Sequence, residues 1–366
     1  MNLPQTTDFE RLLLSDIPLI DVRAPIEFEK GAFPSAVNLP LMNDQERETI
    51  GICYKEQGGR KARELGYSMI KGEIKEKRVK AWCDFIDAHP HAVLYCFRGG
   101  DRSRISQEWL HEAGYDIPRI KGGYKAFRTF ILRALENIGS QFTPIVLGGT
   151  TGSGKTILLQ QVRESVDLEG LAKHRGSAFG RQIEPQPTQI DFEHALAASL
   201  LKKVKAGIDE IVVEDESRRV GQREIPKQLF SSFQEAPLVI LEVPMEERVE
   251  TILEEYVRSF QHQFIARTGE QAGMQQWEET MLKSFYSIQR KLGGLRYREM
   301  VSLFHEAVTL QKSTAKFDGH EKWIEALLRE YYDPMYMYQI EKNSARIVFR
   351  GGRSDVLAYL KQRVAL

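Results

Sequence analysis

Short apolar runs alternate with segments of helical periodicity in the first third of this 366-residue chain. The runs have the length of buried strands, and the segments between them repeat their apolar residues at helical spacing. Strands that alternate with helices indicate a doubly wound parallel α/β sheet, which we assign to a first domain at residues 1–137. The predicted strands are 18–23, 36–40 and 91–96, and the predicted helices are 77–89, 102–114 and 121–135.

A polar stretch with glycine and proline, ENIGSQFTP, follows this domain and predicts a linker at 138–143. Strands and helices alternate again beyond it, so a second α/β domain is predicted at 144–366. The pattern from 245 to about 332 is almost wholly helical and predicts a helical addition to that domain. The predicted strands are 144–149, 210–215, 238–244 and 345–352, and the predicted helices are 155–166, 189–207 and 354–364.

The composition is 42% hydrophobic and 28% charged, which is typical of a globular protein. The 51 basic side chains balance the 51 acidic ones, which argues against a protein that coats nucleic acid through bulk positive charge.

Three cysteines are too few for a disulfide framework and fit a reducing compartment. No signal-like N-terminus is present, and no apolar run approaches the roughly 18–20 residues of a membrane helix, so we predict a cytoplasmic location without a membrane partner.

A glycine-rich sequence between the strand at 144–149 and the next predicted helix matches the P-loop pattern. Glycines let backbone N–H groups point at a phosphate, and the start of the helix adds partial positive charge. The lysine of the pattern would reach terminal phosphates, and the threonine after it would bind magnesium where a metal takes part. The motif predicts a P-loop NTPase-like domain, with a glycine-rich turn that binds nothing as the alternative. The predicted phosphate-binding residues are Gly149, Thr150, Thr151, Gly152, Ser153, Gly154, Lys155 and Thr156.

The strand at 210–215 ends in acidic residues, at the place of the second acidic strand of P-loop enzymes. Glu214 and Asp215 are therefore candidates for a metal or phosphate site, with magnesium as the candidate ion. The alternative is that these acids only begin the next loop. Nothing in the sequence specifies a purine site, so the use of ATP stays open.

Cys96 ends a predicted strand and precedes a glycine- and arginine-rich loop that leads into a helix. Loop N–H groups, the helix dipole and the arginines all favour an anion there, and hence a reactive thiolate. Such a thiolate can attack an electrophile and then hold an anionic adduct, which makes Cys96 the predicted catalytic residue. The alternative is a buried structural cysteine. The predicted anion-cradling residues are Phe97, Arg98, Gly99, Gly100, Asp101 and Arg102.

The segments IDVRAPIEFEKGAFPSAVNLPL (20–41) and YCFRGGDRS (95–103) resemble a rhodanese domain. The resemblance implies a rhodanese-like sheet whose cysteine carries sulfur or selenium as a persulfide or perselenide. Three residues match the opening motif of that family and are expected to organise structure, namely Asp21, Arg23 and Glu27.

The remaining sequence adds a more specific resemblance. A rhodanese-like domain followed by a P-loop domain, with LEGLAKHRGSAFG (168–180), QPTQIDFEHAL (186–196) and VEDESRRVG (213–221), resembles the tRNA 2-selenouridine synthase family. The resemblance implies exchange of the sulfur of wobble 2-thiouridine in tRNA for selenium from selenophosphate. It also implies that geranyl diphosphate first alkylates that sulfur, and that selenophosphate and geranyl diphosphate are substrates, without a tightly bound cofactor. The implied partners are tRNA and selenophosphate synthase.

A polar, cationic segment fits the tRNA backbone or a phosphate, with a solvated loop as the alternative. Basic clusters at 202–205 and 290–298 are further candidates for tRNA contact, although a charge run is often only a solvated face. The predicted tRNA- or phosphate-binding residues of the segment are His174, Arg175, Ser177 and Arg181.

Other functions are left open by the same motifs. Arg102 lies six positions after Cys96, as in the loop of cysteine-dependent phosphatases, although Tyr95 stands where those enzymes usually have histidine. A phosphatase fused to a small-molecule kinase is therefore one alternative. A tRNA sulfurtransferase and a non-catalytic tRNA-binding module are the others.

Overall fold

The computed structural model describes residues 3–364. Contacts within the chain divide it into two compact units. Unit 1 comprises Met1–Asn137 together with Thr188–Lys202, and unit 2 comprises Ile138–Pro187 together with Lys203–Leu366. None of the helices in the described part of the chain combines the length and the apolar character that a bilayer-spanning helix requires.

Five strands and six helices begin among the described residues before position 138. The strands are β1 (Gln5–Thr6), β2 (Leu19–Asp21), β3 (Ala36–Asn38), β4 (Val93–Tyr95) and β5 (Arg119–Ile120). The helices are α1 (Phe9–Leu14), α2 (Pro25–Phe28), α3 (Asp44–Met69), α4 (Glu73–Ala88), α5 (Asp101–Glu112) and α6 (Gly123–Ile138). All pairings are parallel, in the order β1-β5-β4-β2-β3, which confirms the predicted parallel α/β sheet.

The central strands of this sheet are covered on both faces. Every residue of β2 and β4 is buried, as expected for parallel strands between helical layers. Trp82 of α4 is fully buried in the same core, and its indole N–H donates to Leu39 O at 2.8 Å. The hydrogen bond satisfies the polar atom of a side chain that otherwise packs among apolar residues.

The long helix α3 lies outside the predicted elements, because its residues are mostly polar and carry little apolar periodicity. Gly58 interrupts it with non-helical backbone (φ 81°, ψ 172°), and two helical arms result. A side chain added to Gly66 in the second arm would meet Ile50 Cδ1 of the first at 3.5 Å. The arms therefore pack against each other, and we call them the α3 hairpin.

The rest of the described chain begins with a second α/β region and continues into helices. The strands are β6 (Thr143–Gly149), β7 (Ser165–Val166), β8 (Glu210–Glu214), β9 (Arg219–Val220), β10 (Arg223–Glu224), β11 (Leu238–Leu241) and β12 (Ile347–Gly351). The helices are α7 (Lys155–Leu159), α8 (Leu168–Ala172), α9 (Gln189–Lys205), α10 (Lys227–Glu235), α11 (Met245–Ile252), α12 (Ser259–Thr268), α13 (Glu270–Leu292), α14 (Gly294–Thr314), α15 (His320–Leu327), α16 (Asp333–Lys342) and α17 (Arg353–Val364). Short π-helical turns at Leu253–Arg258 and Leu328–Tyr332 and a 3₁₀ turn at Ser344–Arg346 connect some of them.

The sheet of unit 2 is parallel in the order β12-β11-β6-β8-β7, which confirms the predicted α/β fold. β6 and β8 are neighbours, so the glycine-rich loop after β6 and the acids at the end of β8 lie at the same edge of the sheet. The helical addition has its own aromatic core, which confirms the helical pattern of 245–332. Its fully buried rings include Trp277, Phe285, Phe304 and Trp323.

The helix predicted at 155–166 is wrong beyond Leu159. Ser165 Oγ donates to Leu159 O and Val162 O at 2.8 and 2.7 Å, and the chain then enters β7. Buried residues on both sides of this turn have the spacing of a helical face, which explains the erroneous prediction.

Residues 188–202, most of α9, pack in unit 1 although the P-loop sequence precedes them. Asp191 Oδ1 accepts from Ala32 N at 2.7 Å, and His194 Nδ1 lies 2.6 Å from Ala32 O. Because a carbonyl only accepts, His194 donates through Nδ1. Burial lowers the pKa of His194 to about 4, so the ring is neutral. A side chain added to Gly31 would meet Ile190 at 2.4 Å, which shows how closely the helix approaches.

Candidate functional site

Cys96 directly follows β4, at the start of the glycine-rich loop. Two N–H groups in the first turn of α6 donate to Cys96 O and Phe97 O at 2.8 and 3.0 Å, and Arg119 donates to Gly99 O at 2.6 Å. Within the described residues, the amides of 97–100 donate to no backbone carbonyl. The loop carbonyls are thus engaged while the loop N–H groups stay available, as an anion site requires.

The sulfur of Cys96 lies in a polar environment at the start of α5. The residue is 3% exposed, and its Sγ donates to Ser103 Oγ at 3.1 Å. Ser103 Oγ in turn lies 3.2 Å from Gly100 O. When the sulfur is ionised, the same hydroxyl can rotate and donate to it. Cys53 is buried and Cys83 is half-buried, and neither belongs to this loop.

Arg102 and Glu27 connect the loop to the predicted opening motif. The Arg102 guanidinium donates to both carboxylate oxygens of Glu27, at 2.5 and 3.1 Å, and Arg47 lies 3.3 Å from the same carboxylate. Burial opposes ionisation of Glu27, but the hydrogen bond and charge of Arg102 outweigh it and lower the pKa of Glu27. Both arginines therefore face an ionised partner.

Asp21, the last residue of β2, and Arg23 form a buried ion pair. Arg23 Nη2 lies 2.6 Å from Asp21 Oδ2, and the guanidinium also covers the ring of Tyr124 at 4.0 Å. Both side chains are almost fully buried. The pair lies inside the unit and is fully engaged, which suits a structural role.

The glycine-rich loop after β6 has the backbone of a phosphate cradle. Gly152 and Gly154 adopt φ of 80° and 79°, in the left-handed region. A side chain on Gly152 would meet Arg248 O at 2.9 Å, so glycine is required there for space as well as for conformation. α7 begins directly after Gly154, which places its free N–H groups at the loop.

Lys155 bends back over this loop, and its Nζ donates to Gly149 O at 3.0 Å. Burial disfavours the charge of Lys155, but Tyr336 and three nearby glutamates outweigh it and raise its pKa. No carboxylate among the described residues lies within ion-pair distance of Nζ. The charged amine is therefore held at the loop and is available to an anion.

Acidic side chains converge on Thr156. Its hydroxyl donates to Glu214 Oε1 at 2.9 Å and lies 3.2 Å from Glu169 Oε2. Burial, together with the charge of Glu169, raises the pKa of Glu214 to about 8. Burial also raises the pKa of Glu216, to about 7, despite the opposing charge of Lys155. Asp215 is half-buried beside them, and burial raises its pKa as well.

Glu169 and Glu216 were not among the predicted site residues. Glu169 belongs to α8, three residues beyond the predicted helix 155–166, and Glu216 lies one residue beyond the predicted acids. The described residues contain no group of three or more His, Cys, Asp or Glu side chains arranged to hold a metal. One hydroxyl and one carboxylate nevertheless suit magnesium, which usually keeps several waters and phosphate oxygens as its other ligands.

Two of the four predicted phosphate- or tRNA-binding residues reach the P-loop. Arg175 stacks on the ring of Tyr256 at 5.0 Å, and its buried Nη1 has no hydrogen-bond partner among the described residues. Ser177 lies 3.4 Å from the hydroxyl of Tyr256. His174 is buried, and its backbone forms an isolated antiparallel β-bridge with that of the exposed Arg181. Burial lowers the pKa of His174. Arg175 and Ser177 therefore lie at the P-loop, whereas His174 and Arg181 lie away from it.

Arg248 is a further residue of the P-loop that the sequence did not indicate. It is 5% exposed, donates to Thr151 O at 2.9 Å and pairs with Asp333 at 2.5 and 3.1 Å. Arg353 Nε lies 3.4 Å from Ser153 O. These arginines come from α11 and α17, about one hundred or more residues after the motif, and carry no local sequence signal.

A cavity of about 510 Å³ opens at this loop, and we call it the P-loop cavity. Its polar lining includes Lys155, Thr156, Glu169 and Arg175. A small void of about 20 Å³ adjoins it and shares part of its wall. The shared residues are Thr151, Ser177 and Tyr256, and the apolar lining of the void is Phe179, Ile252, Trp323, Ile324, Leu327, Leu328 and Tyr332.

Some cations of the basic clusters predicted for tRNA contact are engaged with other protein groups. Lys202 pairs with Asp16 at 2.5 Å, and Lys203 donates to Arg163 O at 2.7 Å. In the second cluster, Arg296 pairs with Glu299 and with Glu330, at 2.9 and 3.2 Å.

Comparisons with known proteins agree with this arrangement. Residues 142–366 match the family described as tRNA 2-selenouridine synthase AAA domain, and residues 6–129 match the rhodanese-like domain family. The chain is 52% identical to the tRNA 2-selenouridine synthase of Sulfurovum sp. (strain NBC37-1), over 98% of this chain and 99% of that protein. It is 50% identical to the protein of that name from Pseudomonas syringae pv. syringae (strain B728a), over 98% of each chain. The one from Cupriavidus pinatubonensis (strain JMP 134 / LMG 1197) is 49% identical, over 98% of this chain and 99% of its own. The chain therefore belongs to the tRNA 2-selenouridine synthase family.

Proposed function

We propose that this chain is a tRNA-modifying transferase that replaces the sulfur of wobble 2-thiouridine by selenium. The names of its relatives support the overall activity. In the proposed division of labour, the P-loop cavity makes S-geranyl-2-thiouridine from geranyl diphosphate, and Cys96 carries selenium from selenophosphate. Selenophosphate synthase is the proposed supplier of that selenium donor.

The observation that carries the geranyl step is the adjacency of charge and apolar surface in unit 2. Thr151 belongs both to the phosphate loop and to the wall of the apolar void. A donor with an anionic head and an apolar tail fits this pairing, whereas a nucleotide would place a polar ribose and base beyond its phosphates. The void is small, and aromatic and leucine side chains around it would shift to admit a ten-carbon chain.

The same residues suit departure of diphosphate. The thiouridine sulfur attacks C1 of the geranyl group, the C–O bond breaks, and the electron pair leaves on diphosphate. Loop N–H groups and Lys155 stabilise the departing charge, and the unpartnered Arg175 Nη1 gains an acceptor. Thr156 and Glu214 would hold magnesium, which would add positive charge at the diphosphate when bound.

Selenium insertion is assigned to the Cys96 loop. Selenide released from selenophosphate displaces a small thiol from its mixed disulfide with Cys96, which leaves a perselenide on Cys96 and phosphate in solution. The perselenide attacks C2 of the alkylated base, and the sulfur leaves as geranylthiolate. A small thiol then attacks the Cys96 sulfur and breaks the S–Se bond, which releases 2-selenouridine and restores the mixed disulfide. Alkylation makes this departure easier, because the alkylated sulfur can leave as a thiolate, whereas the doubly bonded sulfur of 2-thiouridine would have to leave as sulfide. The available amides of 97–100 suit an anionic selenium adduct on Cys96.

Mass spectrometry of nucleosides tests the proposal. Thiouridine-containing tRNA is incubated with the enzyme, geranyl diphosphate and selenophosphate. The nucleosides are then separated and their masses are measured. We expect 2-selenouridine as the product. Enzyme that leaves thiouridine unchanged but hydrolyses an aryl phosphate would instead support the phosphatase alternative.

A further inference from the structure

A cleft of about 720 Å³ lies in unit 1 between the α3 hairpin and the Cys96 loop. Cys96 and Phe97 line one side of it, and α3 supplies much of the other. Its volume falls within the range of about 300–1,000 Å³ that is usual for small-molecule sites. We call it the hairpin cleft. Selenophosphate is a small anion, so a carrier cysteine alone does not account for a cavity of this size.

The floor of the hairpin cleft is apolar. Leu41, Met42 and Ile70 are buried along it, and Trp109 lies at its base. Tyr67 extends this surface, because its ring centroid is 6.3 Å from that of Trp109 while the residue remains 46% exposed. An exposed ring beside a buried one offers a face on which a planar ligand can stack.

The rim of the hairpin cleft is cationic. Arg47 and Arg63 reach carboxylates only at 3.3 and 3.8 Å. Lys55 and Arg98 are exposed and have no ion pair among the described residues. Two unpaired cations above an apolar floor fit a ligand that combines a planar, apolar part with phosphates.

We propose that the hairpin cleft receives the unstacked, S-alkylated nucleoside of the RNA. The base and its apolar sulfur substituent lie on the floor beside Tyr67, and the flanking phosphates contact Lys55 and Arg98. This inference rests on the proposed function and states where the acceptor of selenium meets Cys96. Single-stranded RNA is commonly recognised in this way, by stacking of splayed bases on aromatic rings with cations at the backbone.

Two variants test the site in the full-length enzyme, Tyr67→Ala for stacking and Lys55→Glu for the rim. Lys61→Glu is the matched control, because Lys61 is an exposed lysine of the same helix that pairs with Glu64 and lies outside the cleft lining. The substrate is a short anticodon stem-loop that carries S-geranyl-2-thiouridine. We expect the KM for selenation to rise about tenfold in Tyr67→Ala, the size of one lost base-stacking contact, and to rise in Lys55→Glu through loss of a phosphate contact. The control should match the wild type.

Two further readouts separate the possible failures. Intact-mass measurement of selenium on Cys96, after the protein is converted to a mixed disulfide with a small thiol and selenophosphate is added, should give the wild-type value in both variants, which excludes a general folding defect. Wild-type enzyme should bind the geranylated stem-loop more tightly than the 2-thiouridine stem-loop, by at least tenfold, because burial of about two of the carbons of the apolar chain already supplies that factor. An unchanged KM in both variants, or equal affinity for the two stem-loops, would contradict the proposal that the hairpin cleft binds the alkylated nucleoside. Wild-type enzyme that makes no selenouridine would overturn the proposed function instead.

Discussion

The Arg102 guanidinium and the Glu27 carboxylate are joined by two hydrogen bonds, of 2.5 and 3.1 Å. Glu27 belongs to α2, whereas Arg102 lies in the first turn of α5, directly after the Cys96 loop. A paired carboxylate both fixes the guanidinium and balances its charge. The pair therefore links the shape of the anion loop to a residue about seventy positions earlier in the chain.

Glu27→Gln should loosen this link. The amide keeps the shape of the side chain but loses the charge-assisted hydrogen bonds, and such a bond contributes about 1.5–3 kcal/mol. We expect lower stability in a urea melt and severalfold slower selenation, with geranylation unchanged. Glu29→Gln, an exposed neighbour, is the control. Equal selenation by both variants would remove Glu27 from the support of the loop.

Cys96→Ser should abolish selenation and spare geranylation. A serine hydroxyl is not appreciably ionised and cannot carry selenium, whereas the P-loop cavity lies in the other unit. Cys53→Ser and Cys83→Ser should retain both activities, because neither cysteine lies in the Cys96 loop. Product nucleosides separated by chromatography give both rates. A Cys96→Ser enzyme with normal selenation would exclude the carrier role.

Lys155→Ala should show the reverse pattern. Loss of the amine held at the P-loop should slow geranylation at least 100-fold, the size of a lost oxyanion donor. Selenation should proceed when geranylated tRNA is supplied. Lys227→Ala, at the exposed start of α10, is the control. Normal geranylation by Lys155→Ala, or a strict requirement for ATP hydrolysis in the wild type, contradicts the assignment.

The pKa of Glu214 predicts how stability depends on pH. Burial and Glu169 raise this pKa from 4.5 to about 8, so the folded chain holds the proton more tightly than the unfolded chain. The resulting stabilisation is complete below pH 4.5 and is lost as the pH rises through about 8. Glu214→Gln should remove part of this dependence and should be more stable than the wild type at pH 8.5.

Urea midpoints at pH 5.5 and 8.5 measure the effect, in which a tenfold change of proton affinity corresponds to about 1.4 kcal/mol. Glu246→Gln, an exposed residue of α11, controls for loss of a negative charge. Identical pH dependence of the Glu214→Gln variant and the wild type would show that this carboxyl does not hold its proton.

The two candidate loops can be located from the sequence because each is a contiguous motif. Cys96 and Lys155 are found in this way, as are the parallel sheets that carry them. The support of these loops is not contiguous. Arg248 reaches Thr151 from about one hundred residues away, and no local pattern marks such a contact.

Two larger features of the fold do not follow from the hydrophobic periodicity of the sequence, for different reasons. The α3 hairpin is polar on most of its surface and broken at Gly58, so it lacks the apolar periodicity that identifies a helix. The helical pattern of α9 predicts the element, but its place in unit 1 depends on contacts such as that between Asp191 and Ala32. Contacts between residues so far apart in the chain are not visible in the local sequence pattern.

A time course of tRNA nucleosides, made with wild-type enzyme, geranyl diphosphate and selenophosphate, tests the central claim most directly. The account predicts that S-geranyl-2-thiouridine rises first and then falls as 2-selenouridine appears. It also predicts no selenouridine from 2-thiouridine tRNA when geranyl diphosphate is omitted. Selenouridine that forms at the full rate without geranyl diphosphate, and without a geranylated intermediate, would contradict the account.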